Sequence, residues 1–129
     1  MQRWGQRVLI MIVGFLFGMT FPFSLTFAGD AAKGDAAKGK AIYEGKGACA
    51  ACHGTSGKGD GPGAAALPVK PKDHTDSASM SQLTDDYLFK IIRQGGVAVG
   101  KSPLMTGAPT LNDEETWDVV AYVRSLSKK

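Results

Sequence analysis

Five consecutive residues, Cys49-Ala50-Ala51-Cys52-His53, hold both cysteines of the chain and one of its two histidines. If the stretch is helical, the two thiols stand three residues apart on one face, about one turn of backbone between them. An imidazole follows the second thiol with no residue intervening, so three metal- or carbon-reactive groups converge on one small volume. Whatever the remainder folds into has to wrap around that volume. Cys-x-x-Cys-His is the attachment pattern for c-type haem: the two thiols reach the two vinyl groups of one porphyrin, and the histidine turns its imidazole toward the iron.

Three other chemistries use the same residue types. A redox-active dithiol usually opens a helix in a βαβ setting, and no strands are visible in this sequence. A structural zinc ion takes four ligands, and only Cys49, Cys52, His53 and His74 are available, with Cys52 and His53 adjacent in the chain and poorly spaced for a tetrahedron. A disulfide across two residues closes a very small loop and adds little. Haem attachment uses both cysteines and the histidine at once.

The first 28 residues stand apart. Arg3 and Arg7 form a positive flank, the run from Val8 to Phe21 is uncharged, and Pro22 leads through a more polar stretch to Ala28. This is the layout of a secretory signal with a small residue at the cut. The second reading, an uncleaved anchor, stays open, because no charge occurs over 8–29 and that length just spans a bilayer. Either way the rest of the chain is expected to be exported, to the periplasm or beyond. Residues 29–129 carry thirteen basic against twelve acidic side chains. A balance so near neutral offers nothing clustered enough to hold nucleic acid or an anionic membrane. A domain of this size has a small core, which a covalent staple or cofactor would supplement.

The domain reads as all-α. Gly29-Asp30-Ala31-Ala32-Lys33 is repeated at once over 34–38, too short a repeat to build a core, and it leads into a first helix over about 35–45. Five glycines and three prolines over 53–71 forbid long regular structure. Thr84 caps a middle helix with Asp85 and Asp86 in its first turn and Leu88, Ile91 and Ile92 along one stripe, closing at Gly95. A second Gly- and Pro-rich loop covers 95–111. Asn112 caps the last helix, Glu115 stands at the capping-box position, and Val119, Tyr122, Val123 and Leu126 repeat at helical spacing.

With these elements in place the chain resembles the class I c-type cytochromes, small monohaem electron carriers, over about 34–126. The resemblance rests on Cys49-Ala50-Ala51-Cys52-His53, on Gly39 and Tyr43 of the first helix facing the segment 121–126 of the last, on the middle helix, and on the Gly100-to-Met105 segment before the last helix. It implies the cytochrome c fold, with three main helices and long loops wrapped around one covalent haem c. Cys49 and Cys52 would be its thioether anchors, and Gly39 would meet Tyr122 where the first and last helices cross. It also implies that the Pro62 carbonyl holds the His53 ring. Tyr43, Leu67, Leu83, Leu88, Ile91, Ile92, Leu104 and Trp117 are the expected apolar walls.

Beside His53, the second axial position of the iron has three candidates. Met80 precedes the middle helix and is spaced with Leu83 and Tyr87 as a core residue, while His74 lies in a polar stretch that reads as solvated. Met105 follows Pro103 in a stiffened loop, where the family places its axial methionine, although Thr106 and Gly107 follow it where a proline is common. A thioether ligand favours ferrous iron relative to a second imidazole. His53 and Met105 together would close both faces, as suits a carrier that exchanges single electrons with transient protein partners and is not itself an enzyme. The alternative is a haem subunit of an oxidoreductase complex, or a gas-binding sensor with a labile sixth ligand.

One motif points elsewhere. Gly95-x-x-x-x-Gly100-Lys101-Ser102 matches the pattern of a phosphate-cradling loop. That loop needs a strand before it and a helix starting at its Lys-Ser, whereas here a helix precedes it and Pro103, Gly107 and Pro109 follow. No nucleotide is expected. A membrane contact is expected only if the leading segment is retained.

Overall fold

The computed structural model describes residues 33–128; the leading segment 1–28, with its signal and anchor readings, lies outside the described residues. The described residues form five α-helices: α1 (Ala36–Glu44), α2 (Ala50–His53), α3 (Ser77–Met80), α4 (Asp85–Gln94) and α5 (Asp113–Leu126). Two short 3₁₀ turns, Ala64–Ala66 and Gly96–Val99, punctuate the loops, and there is no strand among the described residues. The three main helices are the expected ones, while the single turns α2 and α3 have too little periodicity to announce themselves.

Each long helix begins where a side chain takes up its orphan amides. The Asp35 carboxylate accepts from the amides of Ala37 and Lys38 at 2.8 and 3.2 Å. Thr84 Oγ1 accepts from the Tyr87 amide at 3.1 Å, and Asp85 and Asp86 lie in the first turn of α4 beside the positive end of the helix. Asn112 and Glu115 form a reciprocal capping box on α5, both bonds at 2.9 Å. Gly95, at φ 84°, ends α4 in a conformation that other residues rarely adopt.

The scaffold is the crossing of α1 and α5, the most extensive contact between any two elements. Gly39 permits it: a Cβ there would lie on the Asp118 carbonyl oxygen and 3.0 Å from Tyr122 Cβ. The expected crossing residue is thus confirmed, with the α5 backbone as the nearest obstacle. The Asp35 amide adds a 2.6 Å bond to the buried Asp118 carboxylate, and Tyr43 meets Tyr122 edge to face at 5.1 Å.

Arg124 ties α5 to the α3–α4 corner. Its Nε donates to Asp85 Oδ1 at 2.6 Å, Nη1 donates to the Met80 carbonyl at 2.7 Å, and Nη2 donates to the Leu83 carbonyl. Met80, with no exposed surface, packs with Leu88, Ile92, Leu111 and Val119 in the core beneath. Burial of each such side chain contributes about 1.5–3 kcal/mol. No helix among the described residues is long and apolar enough to cross a membrane.

Candidate functional site

The site grows out of α2. Cys49 stands at its N-cap in α-helical conformation, and the chain makes one turn to His53 before Gly54, at φ 76°, leads it away. Both cysteines are free and half-buried, one turn apart, as the helical reading of the motif requires. The α1–α5 pair holds this turn from behind: the Tyr43 hydroxyl donates to the Gly54 carbonyl at 3.1 Å and the Tyr122 hydroxyl to the Thr55 carbonyl at 3.3 Å. In front, the loop folds back against the turn, with the Gly61 amide on the Cys52 carbonyl and the Gly63 amide on the Ala51 carbonyl, at 3.1 and 2.8 Å. Gly61 runs so close that a Cβ would come within 2.5 Å of the Ala50 and Ala51 carbonyl oxygens.

His53 is buried, 8% exposed, and its Nδ1 lies 3.0 Å from the Lys72 carbonyl oxygen. A carbonyl only accepts, so Nδ1 carries the proton and Nε2 keeps the free lone pair. This corrects the expectation for Pro62: it is exposed and its carbonyl is not the partner, because the loop returns on itself and brings Lys72 to the ring. Burial lowers the His53 pKa, opposed by the Lys72 hydrogen bond. The same cause, burial, pushes the Cys49 thiol up to about 11. A dithiol oxidoreductase needs the opposite shift at its attacking cysteine.

His74 overturns a second expectation. It is 8% exposed, not solvated, and its ring stacks on His53 with centroids 4.3 Å apart and planes 19° from parallel. Burial, and then the nearby His53, push its pKa down to about 3. Its ring lies against the face of His53 and not beyond Nε2, the nitrogen with the free lone pair. Asp73 accepts from the Thr75 amide and hydroxyl at 2.8 and 2.6 Å, closing a local turn around His74, but nothing in that turn indicates that the ring is buried. The charged neighbours of His74 concealed it.

The other predicted residues sort by burial. Met80 is core, as its spacing suggested. Met105 is half-buried, in a loop fastened by the Gly96 amide on the Met105 carbonyl and the Ala108 amide on the Ile92 carbonyl, both 2.8 Å. Tyr43, Leu88 and Ile92 are buried and Leu83, Ile91 and Trp117 pack against them, whereas Leu104, expected as a wall, is 52% exposed at the outside of the Met105 loop. Lys101 and Ser102 lie outside any helix, so the phosphate-loop pattern lacks its context. Among the described residues no group of three or more His, Cys, Asp or Glu is arranged to hold a metal ion by itself.

Two free thiols one turn apart, a buried imidazole with its proton fixed on Nδ1, and a glycine-lined loop pressed against the turn fit a covalently held haem. The cytochrome c family model matches residues 36–127. The chain belongs to the cytochrome c family. A comparison with curated proteins finds no match. The family binds covalently attached haem c, and Cys49 and Cys52 have the spacing it requires. Its members are in general electron carriers that work with redox protein partners. The helical fold agrees, with α1, α4 and α5 as its three main helices.

Proposed function

We propose that the chain is an exported monohaem cytochrome c that passes single electrons between redox proteins and is not an enzyme by itself. In this reading Cys49 and Cys52 supply the two thioether sulfurs, and His53 and Met105 are the axial ligands of the iron. The observation that carries it is the state of His53: buried next to two free thiols, with Nδ1–H donating to the Lys72 carbonyl and Nε2 left with the ring's free lone pair. A metal-bound histidine is usually oriented through its other nitrogen in this way, which fixes the tautomer and raises the basicity of the ligating atom. The haem supplies a one-electron iron couple when bound.

The chain's own contribution is to limit rearrangement. Tyr43 and Tyr122 hold the exit of α2, and the Gly96–Met105 and Ile92–Ala108 backbone bonds hold the loop that presents Met105. Two protein ligands would leave no position for substrate. Export is supported by the charged start and apolar run of 1–28.

Haem staining after denaturing electrophoresis tests the covalent link, and Cys49→Ala with Cys52→Ala should abolish it. In the purified protein the oxidised form is expected to show the Met–iron charge-transfer band, and the reduced form is expected not to take up carbon monoxide readily. Met105→Ala should remove the band. A band that survives the substitution sinks the Met105 assignment, and carbon monoxide uptake by the native protein favours a sensor or enzyme subunit.

A further inference from the structure

Two residues after Lys72, whose carbonyl holds His53 Nδ1, the chain turns a second imidazole onto the same ring. His74 is fastened independently of His53: its amide donates to the Gly57 carbonyl at 2.7 Å, and the Asp73–Thr75 bonds close the turn around it. Nδ1 of His74 is buried and bonds to no protein group among the described residues. What the ring does make are aromatic contacts, its face on His53 at 4.3 Å and the edge-on approach of Tyr43 at 6.2 Å.

We propose that His74 is a positioning residue that sets the plane of the His53 imidazole by stacking on its face. The inference rests on the reading of His53 as an iron ligand. A single bond from Nδ1 to the Lys72 carbonyl fixes one edge of the His53 ring, but hydrogen bonds to carbonyls tolerate a broad range of directions, so the ring can still swing about that edge. A parallel ring on one face, anchored through its own backbone, removes this swing. Lys72 and His74 act as a two-point clamp: the carbonyl fixes the edge and the ring fixes the plane. The plane of an axial imidazole governs how unpaired spin is distributed over the porphyrin in ferric haem, so the clamp has a readout separate from electron-transfer activity.

The experiment uses oxidised and reduced holoprotein. In the reduced wild type, proton NMR is expected to show nuclear Overhauser contacts between the ring protons of His53 and His74. Their absence overturns the proposal whether or not any variant folds. In the oxidised state the haem-methyl hyperfine shifts are compared among wild type, His74→Phe and His74→Leu. His74→Phe keeps a flat ring and is expected to retain the wild-type order of the methyl shifts, whereas His74→Leu is expected to change their order or spread. Equal changes in both variants, or none in either, overturn the proposal. Should the leucine variant fail to fold, an altered order in the phenylalanine variant has the same force. Absence of covalent haem, or of iron-bound imidazole resonances from His53 in the wild type, would instead sink the functional reading, so the two failures are distinguishable.

Discussion

Gly39 and Gly100 separate two reasons for a glycine. At Gly39 the obstacle is the Asp118 carbonyl of α5, a backbone atom that cannot move aside unless the helices part. Gly100 has φ +69° and nothing within 4 Å of a Cβ, so only the left-handed conformation opposes a side chain there. Gly39→Ala is therefore expected to lower stability by about 3 kcal/mol or more in urea unfolding of the holoprotein, the upper end of the range for overpacked cores. Gly100→Ala should cost about 1–2 kcal/mol. Equal effects would mean that α1 and α5 do not cross as closely as Gly39 allows. Gly39 was legible in the sequence because the family pattern pairs a small residue with the last helix. His74 was not, since its burial depends on the return of a loop to Gly57, seventeen positions earlier, and no local pattern encodes that return.

Helix ends carry a pH dependence whose sign the caps decide. The Asp35 carboxyl lies below its ordinary 3.8 because the Lys38 and Ala37 amides donate to it. A depressed folded-state pKa contributes stability above the unfolded value, and that stability is lost as pH falls through the folded value. Glu115 shifts in the same direction, first through its hydrogen bond from Lys46 and then through the Asn112 amide. The thermal midpoint of the holoprotein should therefore drop between about pH 5 and pH 3, and Asp35→Asn, which keeps an acceptor but does not titrate, should flatten part of that drop. An unchanged slope in Asp35→Asn would remove the α1 cap from the account. Asn112→Ala, which opens the capping box of α5, should cost about 1 kcal/mol at neutral pH by denaturant unfolding. These caps were readable in advance because a cap is a contact over two or three residues, here Asp35 to Ala37, Thr84 to Tyr87 and Asn112 to Glu115. The carbonyl partner of His53 was misplaced at Pro62 for the opposite reason: a backbone acceptor has no residue identity, so only the path of the loop assigns it to Lys72.

Across the whole molecule, cohesion is uneven. The α1–α5 pair is tied by backbone proximity at Gly39, by the Asp35–Asp118 bond and by the Tyr43–Tyr122 contact, and Arg124 extends the tie to α3 and α4. The segment 97–106 is different: Val97 is 69% and Leu104 52% exposed, and a few backbone bonds to Gly96 and Ser102 hold it. Regions with few buried contacts open at lower free energy than the global transition. Native-state hydrogen exchange of the loaded protein should therefore rank the amides of α1 and α5 as slowest and those of 97–106 as fastest, with 54–72 between. Met105→Ala, which in the proposed ligation removes the sixth ligand, should accelerate 97–106 and leave the α1 and α5 amides nearly unchanged, since those helices are joined to each other by contacts such as Gly39 against Asp118 and Tyr43 against Tyr122. Loss of protection spread evenly over both regions would show that the Met105 loop belongs to the same cooperative unit as the helix crossing, and that the proposed ligand loop and the scaffold are held by one structure.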